Sequence, residues 1–387
     1  MSLLERARDG LPEMVRIRRT LHATPEVGLH LPETRRVVTS ELQRMGLEPL
    51  LHTSTSGVVA VVRGGDAAPR LLRADMDALP MTEETDLEFA STTGNTMHAC
   101  GHDLHTAMLL GAARLLAEGS PPPGPVILMF QPGEEGAHGA KFMLEEGLLK
   151  TLEVEPERAF AIHVFTWLPT GVVGCRPGPL MASSDEVKIR VVGRGGHASA
   201  PHRAADPVPV AAEILLAIQA AVTRQISVFE PAVVTFGHIG AGTVHNVIPE
   251  SAFLHGTVRA LSELTRAKAH GLIRQVAAGV GSAHGLQVDT TIDKGYPVTG
   301  NDPGEFNRLM RVGGATGIDV VEMDAPLMGS EDWSYVLARV PGTMAFLGAC
   351  PPELDPEEAP TNHSNRVRFE EEAMATGAAL YAAVASD

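Results

Sequence analysis

Cysteine is scarce. Three residues, Cys100, Cys175 and Cys350, in a chain of 387 cannot build a disulfide framework. Their odd number points to reduced thiols and a cytoplasmic location. Positive charge is also short: 31 Lys and Arg against 47 Asp and Glu leave a net charge of -16. That balance speaks against nucleic acid or an anionic membrane as partner, although it selects no substrate. No stretch approaches the roughly 20 apolar residues that cross a bilayer. The first 26 residues intersperse Leu, Val and Ile with charge at helical spacing and contain no apolar signal core, so one amphipathic helix of a soluble protein is expected there. Repeats and low-complexity segments are absent. The glycines of Gly193-Arg194-Gly195-Gly196 lack the Lys-Ser/Thr ending of a phosphate loop, which argues against nucleotide binding.

What is present centres on Met97 to Gly119. Cys100 and His102, with His98 and His105 nearby, stand at the mouth of a stretch whose Met108, Leu109, Ala112, Leu115 and Leu116 repeat at helical spacing. A thiolate and an imidazole two residues apart can reach one cation, and the positive end of a helix helps keep the sulfur ionised. An isolated Cys-x-His is more often a buried cysteine beside capping groups. The remainder of the chain decides between the two readings.

Length allows two or three domains. After a second helix opened by Pro32-Glu33-Thr34 and stopped at Gly46, short apolar strands (58–62, 70–76) alternate with helices. That order predicts α/β layering on a largely parallel sheet, whose ligands collect beyond the strand carboxyl ends. Those ends carry Asp75-Met76-Asp77, then Gln131-Pro132-Gly133-Glu134-Glu135-Gly136, then His163 in RAFAIHVF. Between 183 and 293 the order strand, helix, strand, strand, helix, strand is that of a ferredoxin-like α+β unit. The expected organisation is a discontinuous catalytic domain (1–182 and 294–387) around an inserted domain (183–293).

Cys100, His102, Glu135, His163 and His363 together offer a sulfur, three imidazoles and a carboxylate. Zinc suits that set, and manganese, cobalt and nickel accept the same ligand types. Five ligands exceed what one tetrahedral zinc uses, so two divalent metal ions are expected, about 3.5 to 4 Å apart. Glu134, next to Glu135, is then free to move a proton.

The blocks RADMDALP, MHACGHDLHTA, QPGEEG, AIHV, GGHASAPH, HNVIPES with GTVRAL, GSEDW and TNHS stand in the order they take in dinuclear metallo-amidohydrolases. The chain resembles the branch of bacterial N-acyl-amino-acid amidohydrolases, hippurate hydrolases and plant auxin-conjugate hydrolases, over nearly its whole length. The resemblance implies that Cys100 bridges two ions, with His102, Glu135, His163 and His363 completing their shells, and that Glu134 is the general base. It implies that Asp77 supports a ligand from behind. His197 would reach the reacting carbonyl oxygen across a dimer interface, and Asn246 and Arg259 would hold the substrate carboxylate. It further implies a lid and dimerisation role for the inserted domain, in a homodimer or dimer of dimers. Trp333 replaces a Phe usual in this branch and is expected to reshape the acyl pocket. The activity so implied is hydrolysis of N-acyl-L-amino acids of N-acetyl or N-benzoyl type. A metallo-carboxypeptidase or dipeptidase is the alternative, and a metal-binding sensor is a third reading that the retained Glu134 disfavours.

Overall fold

The computed structural model describes residues 1–387. It opens on two helices, α1 (Leu3–Asp9) and α2 (Leu11–Ala23), where the pattern predicts one. The division falls at Gly10: Ser2 and Glu5 close a capping box on α1, and Pro12 occupies the first turn of α2, where a missing N–H breaks no helical bond. Helix α3 (Pro32–Arg44) also begins on proline. There follow β1 (Leu50–Leu51), β2 (Val58–Val62), β3 (Arg70–Asp75), α4 (His102–Glu118), β4 (Val126–Gln131), α5 (Gly139–Glu145), β5 (Arg158–Pro169), β6 (Val173–Cys175) and β7 (Gly178–Met181).

Beyond β7 come β8 (Asp185–Val192), β9 (Gly196–His197), α6 (Pro207–Gln225), β10 (Ala232–Ala241), β11 (Val247–Ile248), β12 (Ser251–Ala260), α7 (Glu263–Ala283) and β13 (Gln287–Lys294). The chain ends with β14 (Thr299–Asn301), α8 (Pro303–Thr316), β15 (Val320–Glu322), α9 (Ser334–Leu337), β16 (Gly342–Cys350) and α10 (Ala373–Ser386). Two compact units result. The first is Met1–Leu180 with Gly300–Ala325 and Asp332–Asp387; the second is Met181–Thr299 with Pro326–Glu331. The short segment Pro326–Glu331, assigned above to the catalytic domain, belongs to the second unit: Ala182 donates its N–H to the carbonyls of Leu327 and Gly329.

The first unit is built on an eight-stranded sheet of order β1-β2-β4-β3-β5-β16-β6-β15. Its central strands β4, β3, β5 and β16 run parallel, whereas β1, β2 and β6 pair antiparallel with neighbours. Strands β3, β4 and β16 are buried along their whole length; β4 reads accordingly as an unbroken apolar run from Val126 to Phe130, whereas β3 also buries Arg70, Arg73 and Asp75. On one face, α2, α4 and α10 cover the sheet through Ile17, Leu21, Leu104, Met108 and Leu380. Helices α4 and α10 meet at Gly377, where a Cβ would stand 2.1 Å from Met108 Sδ. The hydroxyl of Tyr381 in α10 donates to the Arg73 carbonyl of β3 at 2.6 Å and accepts from the Ile162 N–H of β5 at 2.9 Å. The mostly parallel α/β layering expected from the sequence is what the chain forms.

The second unit has an antiparallel sheet of order β10-β12-β8-β13 with α6 and α7 packed against it. Its core joins Val187 and Ile189 of β8, Leu254 of β12, Ile214 and Ile218 of α6 and Ile273 of α7, each burial supplying roughly 1.5 to 3 kcal/mol. At the edge of this core Asp185 accepts from Arg266 Nε at 2.9 Å and from His270 Nε2 at 2.6 Å. One expectation is corrected here: α6 is long and apolar enough to cross a membrane by length and composition. Its Val210, Ile214, Ile218 and Val222 are part of the core of this unit.

Candidate metal centre

Gly101 makes the turn from Cys100 into α4. Its φ of 84° lies in the left-handed region, and a Cβ there would meet Val164 Cγ2 at 2.3 Å, so only glycine lets the Cys-x-His pair approach β5. His102, the first residue of α4, donates from Nδ1 to the carbonyl of Asp77 at 2.8 Å. That bond fixes the tautomer and leaves Nε2 as a lone pair. Nε2 is buried and has no hydrogen bond. His163 is arranged alike: Nδ1 donates to the Val164 carbonyl at 2.9 Å, and Nε2 lies 3.3 Å from Cys100 Sγ. His363 reaches the same sulfur from a left-handed backbone (φ 69°), with Nε2 3.3 Å from Sγ and 3.2 Å from Glu135 Oε1.

The sulfur of Cys100 is thus common to two clusters, one with His102 and His163 and one with Glu135 and His363. Glu134 and Glu135 form a third with His102. The donor set fits divalent metal ions on the structure's own terms. His102 Nε2 is buried without a hydrogen bond, and a buried polar atom left in that state is costly unless something meets it. Electrostatics agree. Burial and the Glu135 carboxylate push the Cys100 thiol up, while Cys100 and Glu135 hold His363 up to about 10. A cation would take the place of protons held this way.

Asp77 does more than the resemblance implies. Its carboxylate accepts the backbone N–H of Glu134 at 2.9 Å and of Glu135 at 3.0 Å and lies 3.6 Å from His102 Nδ1, while its carbonyl accepts from that nitrogen at 2.8 Å. His105, which clusters with Asp75 and His102, has both nitrogens engaged, Nδ1 donating to Asp75 and Nε2 accepting from the Val164 N–H at 2.8 Å. His98 is buried beside His22 and belongs to no cluster. Trp333 is fully buried, with the Arg73 guanidinium 6.0 Å from its ring.

Beneath the clusters runs a buried network that the sequence pattern did not disclose. Arg73 donates to Asp75 at 2.7 Å and to Asp332 at 3.2 Å, and Gln131 donates to Asp332 at 2.6 Å. Asn362, next to His363, donates to the carbonyls of Val164 at 2.9 Å and Cys100 at 3.3 Å. Arg73, Gln131, Asp332 and Asn362 stand inside blocks quoted above, but nothing in those blocks marks them as partners.

In the second unit His197 lies on β9, paired with β11, and the Ala198 N–H donates to the Asn246 carbonyl at 3.1 Å. This brings His197 and Asn246 together. His197 Nδ1 accepts the Ser199 N–H at 3.2 Å, which leaves Nε2 carrying the proton. Arg259, on β12, donates to Ser330 Oγ at 2.8 Å.

Comparison with known proteins agrees with this geometry. Residues 71–387 match the model of Peptidase family M20/M25/M40. Thermostable carboxypeptidase 1 of Saccharolobus solfataricus is 36% identical over 100% of this chain and 98% of its own length. An IAA-amino acid hydrolase of Arabidopsis thaliana is 38% identical over 99% of this chain and 87% of its own. Among solved structures, the Bacillus subtilis YXEP protein, described as a dinuclear metal binding peptidase, superposes with a TM-score of 0.85 at 31% identity over 98% of both chains. The chain therefore belongs to peptidase family M20/M25/M40 and is a metal-dependent hydrolase.

Proposed function

We propose that the protein hydrolyses the amide bond of N-acyl-L-amino acids, releasing a carboxylic acid and a free amino acid. The observation that carries this is Cys100 Sγ standing 3.3 Å from an imidazole nitrogen on either side, with the Glu134 carboxyl group in the adjoining cluster. Two divalent cations, zinc being favoured by the ligand set, would be held by Cys100, His102, Glu135, His163 and His363 and would acidify a water and polarise the scissile carbonyl. Glu134, its loop pinned by Asp77, takes the proton from the water as its oxygen bonds to the amide carbon. It then returns that proton to the nitrogen as the C–N bond breaks. His197, protonated at Nε2, is suited to donate to the carbonyl oxygen as charge develops there. Arg259, a planar guanidinium, and Asn246 are suited to grip the carboxylate of the amino-acid half.

The same reading includes a lid and dimerisation role for the inserted unit, in a homodimer or dimer of dimers located in the cytoplasm. Supporting it, β10 is an edge strand with Val233 and Ile239 41% and 51% exposed, and α6 leaves Leu216 68% exposed. A carboxypeptidase or dipeptidase activity is the second reading, favoured by the thermostable carboxypeptidase relatives. Steady-state rates on N-acetyl and N-benzoyl amino acids against dipeptides, after metal reconstitution, separate the two. Higher kcat/KM on dipeptides would reverse the ranking.

A further inference from the structure

Resting on the N-acyl reading above, we propose that Phe165 and Trp167 form the acyl subsite and select flat aromatic acyl groups, such as benzoyl, over short ones such as acetyl. The chain is poor in aromatic residues, with 11 Phe, 3 Tyr and 2 Trp, so where it leaves rings partly open is informative. Phe130, Phe160, Trp333, Phe346, Phe369 and Tyr381 are buried. Phe165 and Trp167 are partly exposed, on the strand that carries His163.

Side chains alternate along a strand, so residues 163, 165 and 167 of β5 share a face. The rings bear this out. Phe165 stacks on the His163 imidazole with centroids 4.6 Å apart and planes 23° apart, and Trp167 continues the row 5.3 Å from Phe165. Thr166, between them, donates its hydroxyl to the Pro360 carbonyl at 2.9 Å. Phe346, paired in register with His163 on β16, is fully buried and meets Phe165 and Trp167 edge-on at 4.8 and 6.1 Å. The ledge is therefore braced, and two rings of few rotamers lose little freedom when a ligand lies on them.

Position gives the ledge its use. The imidazole of His163 meets the rings of His105 and His102 edge-on at 4.7 and 5.9 Å, and its Nε2 faces Cys100. Phe165 stacks on a face of this ring, beside a residue that would hold metal. A carbonyl reacting at that centre bears its acyl substituent one bond away, so the substituent lies against whatever wall adjoins the centre. A wall of two partly open rings offers offset stacking to a planar group and little to a methyl. Fully buried Trp333 cannot supply that wall.

The test reads binding and turnover separately. Titration calorimetry on zinc-reconstituted Glu134→Gln protein should show N-benzoylglycine binding about tenfold tighter than N-acetylglycine. Trp167→Ala and Phe165→Leu, each added to that background with zinc content measured, should bring the ratio close to one. Equal binding of the two ligands by the parent overturns the subsite, as does a ratio unchanged in both variants at full zinc content. If Phe165→Leu loses zinc, Trp167→Ala decides alone. Failure of the wild-type enzyme to hydrolyse either compound would remove the proposed function, while the binding ratio would still judge the ledge.

Discussion

The carboxylate of Asp77 accepts the backbone N–H of Glu134 at 2.9 Å, so the residue that holds the metal-ligand side of the cleft also sets where the proton carrier stands. Asp77→Asn puts an amide donor opposite one of two N–H groups and frees the loop. Metal affinity or kcat should fall by about 10- to 100-fold. Metal titration alongside steady-state rates checks this, and normal values for both would show that the clamp is dispensable.

Glu134→Gln keeps the shape of the side chain and removes its basicity. Turnover should drop by at least roughly 100-fold, the size of a lost general base, with metal content close to wild type. Elemental analysis distinguishes a lost proton carrier from a lost metal site. Activity persisting in this variant would assign the base elsewhere.

Cys100→Ser replaces the atom shared by two clusters with a harder, shorter donor. Both ions should be held more weakly, and the purified variant should contain less than one equivalent of metal after dialysis. Two tightly retained ions would speak against a bridging sulfur.

Asp185 makes a pH prediction away from the metal centre. Burial alone would raise its pKa, but His270 and Arg266 outweigh burial and hold it down to about 2. Because the folded value is depressed, the stabilisation is complete above the ordinary carboxylate value and is lost as pH falls from about 4 toward 2, and it amounts to about 2 kcal/mol. The gap in unfolding free energy between wild type and Asp185→Asn should therefore shrink across that interval. A gap that stays constant would mean that the ion pair does not stabilise the fold.

Much of the architecture was legible because local signals agreed with it. Strand β8 begins and ends where alternation from Asp185 to Val192 predicts, and the buried runs of β3 and β4 announce a parallel sheet. The proposed ligands were legible for a chemical reason: sulfur, imidazole and carboxylate at strand ends have few other uses together. What escaped depends on partners far apart in the chain. Arg73 and Asp332 meet across 259 positions, and nothing local marks either as paired. The split at Gly10 was hidden because apolar spacing continues through it on both sides. The complete burial of Trp333 was hidden because sequence shows that a ring is large but not which way it faces.

The Tyr381 hydroxyl that joins β3 to β5 lies 308 positions from Arg73. The two strands also pair directly, Arg70 to Arg73 with Arg158 to Ala161, but a ribosome releases the chain from its amino end, so the hydroxyl tie is added only once α10 has emerged. Nascent chains arrested before Tyr381 should therefore be cut by protease within residues 70–169, whereas released chains should resist. The sheet beneath the proposed ligands is in this way locked by a helix made after both strands that it ties.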